Sequence, residues 1–243
     1  MTAMEHLKTG AKKLGLHLNP AQLKQFNIYY QELIDWNQQM NLTSITSFKE
    51  IQIRHFLDSL TAILAMRQAI KGNKLDLIDI GTGAGMPGLP IKIALPAIKL
   101  ILLEATAKKA AFLTHLEQKL KLDDVEIVVG RAEEVAHEPR YRQHFDIVLS
   151  RAVAPLPTLV ELALPFCTID GVFIAQKKGA TAHLEISKAT KVISLLGGSL
   201  TKVKRIDLNE LPDERYLIII DKVSPTPKRY PRRSGIPTKR PIV

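Results

Sequence analysis

The sequence predicts an α/β protein: a mostly parallel, doubly wound sheet of seven strands with an antiparallel last strand, behind a helical extension. Three observations carry that reading. From residue 75 onward, short apolar runs alternate with helix-like stretches, the pattern of a parallel sheet covered by helices on both faces. The last two runs are joined by a short connection containing Leu211-Pro212-Asp213-Glu214, which suits an antiparallel pair rather than a crossover. Residues 1–70, by contrast, carry apolar side chains at helical spacing.

In order along the chain, the first dozen residues form a weak helical pattern and residues 20–38 a stronger one. In the latter, Pro20 sits at a first helical position, followed by Leu23, Phe26, Tyr30, Leu33 and Ile34. Residues 47–70 give the next helix, through Ile51, Phe56, Leu57, Leu60, Ile63 and Leu64. The strand runs are LDLIDI (75–80), KLILLE (99–104), VEIVV (125–129), FDIVLS (145–150), GVFIAQ (171–176), TKVKRIDL (201–208) and RYLIII (215–220). Helices are expected over 107–120 and 181–196. The organisation is thus an N-terminal helical extension (1–70), a sheet domain (71–223) and a basic, proline-rich tail (224–243).

With 243 residues, 46% apolar and 24% charged, the composition is that of a soluble globule with a full core. No apolar run approaches the ~20 residues of a membrane span, and the N-terminus has neither the apolar core nor the cleavage site of a secretory signal. Asn41-Leu42-Thr43 therefore matches a glycosylation sequon by chance. A single cysteine, Cys167 in LALPFCTI, excludes an internal disulfide and a thiolate-rich zinc site, and reads as a core thiol. A reduced, cytoplasmic, monomeric protein without a metal site or membrane contact is expected.

The net charge of +10 points to a polyanionic partner. After Asp221 the chain holds Lys222, Lys228, Arg229, Arg232, Arg233, Lys239 and Arg240 and no acid. Pro225, Pro227, Pro231, Pro237 and Pro241 are spaced through this tail, which rules out a helix or a central strand. Two readings stand side by side. One is a disordered solubilising tail; the other is an arm laid along phosphates, each contact releasing counterions.

The first strand runs into IDIGTGAGMPGLP, residues 78–90. Gly83-x-Gly85-x-x-Gly88 fits a dinucleotide fingerprint, but four glycines in eight residues exceed what a plain turn requires. Electrostatics separates the possible ligands. A dinucleotide sets a pyrophosphate against the loop amides, and Asp79, two residues before Gly81, opposes that anion. S-adenosylmethionine brings a sulfonium and an ammonium, which suit an acid at the strand end. Met86 and Pro87 would wall the pocket. Glu104, ending the second strand about 20 residues on, is placed to accept ribose hydroxyls. In VVGRAEE, Ala132 and Glu133 stand where an adenine ring and its amine would lie; alone, Glu133 reads equally as a helix-start carboxylate.

The fourth strand ends in SRAVAPLP (150–157), where such an enzyme would present its substrate. No Asn/Asp-Pro-Pro-Tyr/Phe sequence is present, which counts against an exocyclic amine as acceptor. The absence of a cysteine here counts against covalent attack on a pyrimidine. Arg151 is either a cation paired to a neighbouring acid or a contact to cofactor or nucleic acid. His55 and Asp58 in RHFLDSL, three apart on a helix, read first as a local pair.

DIGTGAGMPGLPIKI, LLEATAKKAAFL, GRAEE, SRAVAPL and RYPRRSGIPTKRPI, behind NLTSI and RHFLDSL, together resemble the RsmG (GidB) family from about residue 30 to the C-terminus. These are bacterial methyltransferases of guanine N7 in 16S ribosomal RNA. The resemblance implies a class I S-adenosylmethionine-dependent fold (Rossmann-like) with an N-terminal helical extension. By position, it implies that Gly81 and Met86 line the cofactor with Asp79, Gly83 and Gly85. Glu104, Ala105 and Thr106 hold the ribose side, Ala132 and Glu133 the adenine, and Arg151 the cofactor–substrate boundary. Met86 and Thr82 stand where Phe and Ser are more common, both mild departures. Arg229, Arg232, Arg233, Lys239 and Arg240 are the expected RNA contacts, and 16S rRNA, the small subunit or an assembly intermediate the partner. The competing readings are a class I methyltransferase acting on a protein or small molecule, a non-catalytic RNA-binding protein and, disfavoured by Asp79, a dinucleotide oxidoreductase.

Overall fold

The computed structural model describes residues 4–66, 75–179 and 182–243. Its strands are β1 (Asp76–Ile80), β2 (Lys99–Glu104), β3 (Val125–Val129), β4 (Phe145–Arg151), β5 (Cys167–Lys178), β6 (Gly198–Ile206) and β7 (Arg215–Lys222). They form one sheet in the order β3-β2-β1-β4-β5-β7-β6. β1 to β5 pair in parallel. β7 inserts between β5 and β6, antiparallel to both. The order reverses between β1 and β4, so the loops leaving those two strands diverge and open a crevice at their carboxyl ends.

Local chemistry explains the elements. β1 is buried along Leu77–Ile80, as a central strand covered on both faces must be. The helix Pro20–Met40 starts in a capping box: the Asn19 side chain accepts from the Gln22 N–H, and Gln22 returns a bond to the Asn19 N–H. The expected 47–70 helix is in fact three joined pieces, Phe48–Glu50, a π-helical Ile51–Leu57 and Asp58–Leu60, followed by Ile63–Met66. Residues 67–70 lie outside the described residues. Apolar spacing alone does not reveal the widened π turn, a feature that recurs at functional sites.

Each face of the sheet has its own core. One gathers Phe26, Leu33 and Phe56 of the N-terminal helices with Leu77, Leu102 and Phe112, so the extension is packed into the sheet domain. The other holds Val148, Leu159, Phe173 and Ile218, joined by Tyr230 of the tail. Cys167 is fully buried there, and burial pushes its thiol up to about 12, consistent with a core residue. No helix among the described residues is long and apolar enough to cross a membrane.

The tail corrects one expectation. Residues 236–239 form a one-turn helix, Ile236–Lys239. Pro237 falls in its first turn, where a missing N–H leaves no bond unmade, so the proline spacing did not forbid it. The segment folds back onto the domain: Pro237 O accepts from Thr158 Oγ1, and the Arg142 guanidinium donates to the carbonyls of Thr226, Pro227 and Tyr230.

Candidate active site at the carboxyl edge of the sheet

The glycine loop is tied down by the two acids that precede and flank it. Asp79 is fully buried; its Oδ2 accepts from Thr82 Oγ1 at 2.6 Å and from Gly88 N at 2.8 Å. Its Oδ1 is buried with no hydrogen-bond partner. Burial lifts the carboxyl to about 6, against the pull of those two bonds and of Arg151. Glu104 accepts from Gly83 N at 3.0 Å through Oε2 and from Thr106 N at 2.9 Å through Oε1. Gly81 and Gly83 adopt φ of +66° and +61°. A Cβ on Gly81 would strike Val153 at 2.7 Å, whereas one on Gly83 would meet only a backbone oxygen at 4.0 Å. The loop is therefore closed behind Gly81 and open in front of Gly83, and the acid beneath its Gly88 end keeps one buried oxygen with nothing bonded to it. An orphan carboxylate oxygen of this kind fits a cationic ligand, and S-adenosylmethionine answers to it. Met86 is buried beside the loop. From the N-terminal extension, Tyr29 reaches across to donate to Ala84 O at 2.5 Å.

At the exit of β3, Glu133 is 4% exposed and its Oε1 accepts from Gly235 N at 2.8 Å and from Arg131 at 3.1 Å. Burial works to raise its pKa, but these bonds hold it below the usual range. The helix Ala132–Val135 begins there, with Glu133 and Glu134 in its first turn.

Arg151 ends β4 and turns to the helical extension. Its guanidinium donates to Asp58 Oδ2 at 3.0 Å and to the carbonyls of Arg54 and His55 at 3.3 and 3.4 Å. Asp58 Oδ1 accepts from Arg215 Nε at 2.8 Å at the start of β7. The expected His55–Asp58 pair is thus not formed. Asp58 is buried between two arginines from distant strands, and His55 Nε2 lies 2.7 Å from Thr43 Oγ1. Burial, then the Arg151 charge, lowers His55 to about 4, so its ring is neutral at neutral pH. Gln176 donates to Asp58 O and Thr61 Oγ1 from β5. Arg215 and Gln176 were not among the expected site residues. Asp58 was considered only as a local partner. Their pairings span 93 to 157 residues, and no short motif carries such a signal.

These residues border a cavity of about 470 Å³, lined by Arg54, His55, Asp58, Arg151, Lys177 and Arg215 among others. Val153 lines it as well and packs against Gly81, so the cavity and the glycine loop share a wall. Cations outnumber acids in the lining.

The five tail cations divide. Arg229, Arg233, Lys239 and Arg240 are exposed and make no salt bridge among the described residues. Arg232 is different: it clasps the fully buried Glu161, with Nε at 2.8 Å and the terminal nitrogen at 2.6 Å.

Solved structures with this arrangement include an O-methyltransferase from Bacillus cereus in complex with SAH (TM-score 0.55, 17% identity, 80% of this chain and 91% of that one). A precorrin-6y C5,15-methyltransferase from Geobacter metallireducens is similar over 68% of this chain and 87% of that one (TM-score 0.51, 15% identity). At such identities the likeness shows the fold, that of class I methyltransferases. In sequence, the chain is 50% identical to a ribosomal RNA small subunit methyltransferase G of Dehalococcoides mccartyi, over 99% of this chain and all of that protein. It is 46% identical to the protein of that description from Roseiflexus castenholzii, over 99% of this chain and all of that protein. The model of the GidB family, described as rRNA small subunit methyltransferase G, matches residues 22–215, and the chain belongs to that family.

Proposed function

We propose that the protein transfers a methyl group from S-adenosylmethionine to N7 of a guanosine in 16S ribosomal RNA. It would act in the cytoplasm, as a monomer, on the small subunit or an assembly intermediate. The observation that carries this reading is the adjacency of two unlike surfaces: an open glycine loop held by Asp79, which keeps one oxygen unpartnered, and a cation-rich cavity beyond Val153. Family membership supplies the substrate class.

When bound, S-adenosylmethionine supplies a methyl group activated by a sulfonium sulfur. Asp79 and the Gly81–Gly85 backbone hold its methionine end, Glu104 with Ala105 and Thr106 the ribose, Ala132 and Glu133 the adenine, and Met86 walls the pocket. Guanine N7 carries an in-plane lone pair and no proton. The sulfonium would supply its methyl directly to that lone pair, the S–CH₃ bond being exchanged for N–CH₃ and the positive charge passing to the base. No general base is required, and His55, bonded to Thr43, is given no proton to take. The work left to the chain is alignment. Asp58 holds Arg151 and Arg215 in the cavity wall, and Arg54 and Lys177 are paired with Asp213 and Glu185, while the exposed Lys178 offers charge to the phosphates flanking the target. The guanine must be unpaired to enter, since A-form major grooves are too narrow for side chains. Arg229, Arg233, Lys239 and Arg240 extend the phosphate contacts.

Labelled methyl transfer to small subunits, followed by nucleoside analysis, tests this reading. Label in N7-methylguanosine is expected; label on protein, on another atom of the base, or nowhere would overturn it.

A further inference from the structure

The C-terminal segment does more in this structure than present cations. Arg232 is its anchor. The backbone N–H and Nε of Arg232 reach Glu161 Oε1 at 2.9 and 2.8 Å, and its terminal nitrogen reaches Oε2 at 2.6 Å. Behind it, His137 Nε2 lies 2.8 Å from Pro231 O. Ahead of it, Ser234 Oγ donates to Glu134 Oε1 at 2.8 Å, and Gly235 N donates to Glu133 Oε1 at 2.8 Å from a left-handed turn. The last bond matters because Glu133 is buried at the sheet edge, and its other side-chain partner, Arg131, is half exposed. A buried carboxylate that must present one oxygen to a ligand needs the other fixed, and a backbone N–H is the more rigid of its two donors. Arg229 and Arg233, which face outward, line the same open cavity of about 630 Å³ as Glu133 and Glu134.

We infer that residues 224–243 form a wall of the cofactor site: the Arg232–Glu161 anchor places Gly235 N–H on Glu133, positioning that acid for the adenine and coupling RNA on the segment's cations to cofactor affinity. The inference rests on the reading of Glu133 as the adenine-side acid and of the outward arginines as RNA contacts. Glu133 acts on the cofactor directly, whereas Arg232 and Gly235 are positioning residues. By linkage, RNA that seats the segment tightens cofactor binding, and cofactor tightens RNA binding by the same factor.

The test is calorimetric titration of the full chain with S-adenosylmethionine, with and without 16S rRNA. Arg232→Ala is expected to weaken cofactor binding roughly tenfold without RNA, the scale of one hydrogen bond to a charged group. Glu133→Gln is expected to weaken it similarly. The double variant should be no weaker than Glu133→Gln alone, because both changes act at one carboxylate. Added rRNA should tighten cofactor binding in the wild type and not in Arg232→Ala. A clasp that merely staples the chain end would lower the melting temperature and leave cofactor affinity unchanged, or give additive losses; either result sinks the inference. Arg232→Lys, which leaves buried Glu161 a cation but cannot reproduce the two-pronged clasp, supplies the same comparison if Arg232→Ala does not fold. A wild-type chain that took no S-adenosylmethionine would bring down the proposed function as well, whereas wild-type binding with an indifferent Arg232→Ala brings down the clasp alone.

Discussion

The exits of β1 and β4 lie side by side, yet they are built in opposite ways. The β1 exit is braced over shorter spans: Asp79 bonds to residues three and nine positions ahead, Glu104 of the neighbouring β2 to Gly83 21 positions back, and Tyr29 to Ala84 55 positions ahead. The β4 exit is assembled from pieces far apart, with Asp58 meeting Arg151 93 residues away and Arg215 157 residues away. The first is a loop whose shape is fixed by its own bonds. The second depends on the whole sheet being in place, and its charges stabilise one another only in that arrangement. Damage to the two sides should therefore look different.

The largest effect is expected at the assembled side. Asp58→Ala leaves the guanidinium groups of Arg151 and Arg215, both largely buried, without their shared counter-charge. Arg215 keeps Asp213 at 3.5 Å, so the uncompensated buried charge is that of Arg151, and a loss of about 3 kcal/mol is expected, read by denaturant unfolding, together with loss of methyl transfer. Near wild-type stability would mean that the two arginines find other partners. On the local side, Gly83→Val should clash with no neighbour, since its Cβ enters open space, but a β-branched residue at φ +61° strains the loop backbone, and S-adenosylmethionine binding should weaken by at least about tenfold. Equal affinity would place the cofactor elsewhere.

Acidity separates the two sides further. Asp79 is raised from 3.8 to about 6, so between those values the folded state holds a proton that the unfolded state releases. Its contribution to stability without ligand therefore falls as pH rises across that window. Cofactor binding has the opposite sign: the carboxylate form suits the sulfonium ligand, so affinity falls as pH drops through about 6. Asp79→Asn should flatten both trends, as thermal melts and titrations across the window will reveal. The smallest effect is expected for Tyr29→Phe. It removes one buried bond to Ala84 O and should cost about 1 kcal/mol, with a modest loss of cofactor affinity as the loop loses its brace.

The same contrast explains what could be read from the sequence. Alternating runs located all seven strands, and Asp79, the glycines and Glu104 come together at the strand ends as their spacing suggests. Asp58 was visible only as a helical neighbour of His55, and Arg215 as the first residue of an apolar run. Their meeting is a property of strand order, with β7 inserted beside β5, and no local pattern encodes it. The proline-rich tail misled differently: five prolines argue against regular structure along their length, but not against a single turn or against packing through side-chain clasps. Arg232, counted with the RNA contacts, is already engaged by Glu161.

The insertion of β7 has a consequence for the order in which the protein is made. Asp58 and Arg151 emerge from the ribosome well before Arg215, and β6 cannot join the sheet until β7 bridges it to β5. A chain that stops short of residue 215 carries the glycine loop intact but lacks one side of the charge triad. The cation-rich cavity beside the glycine loop is thus completed only once the final strand has been synthesised.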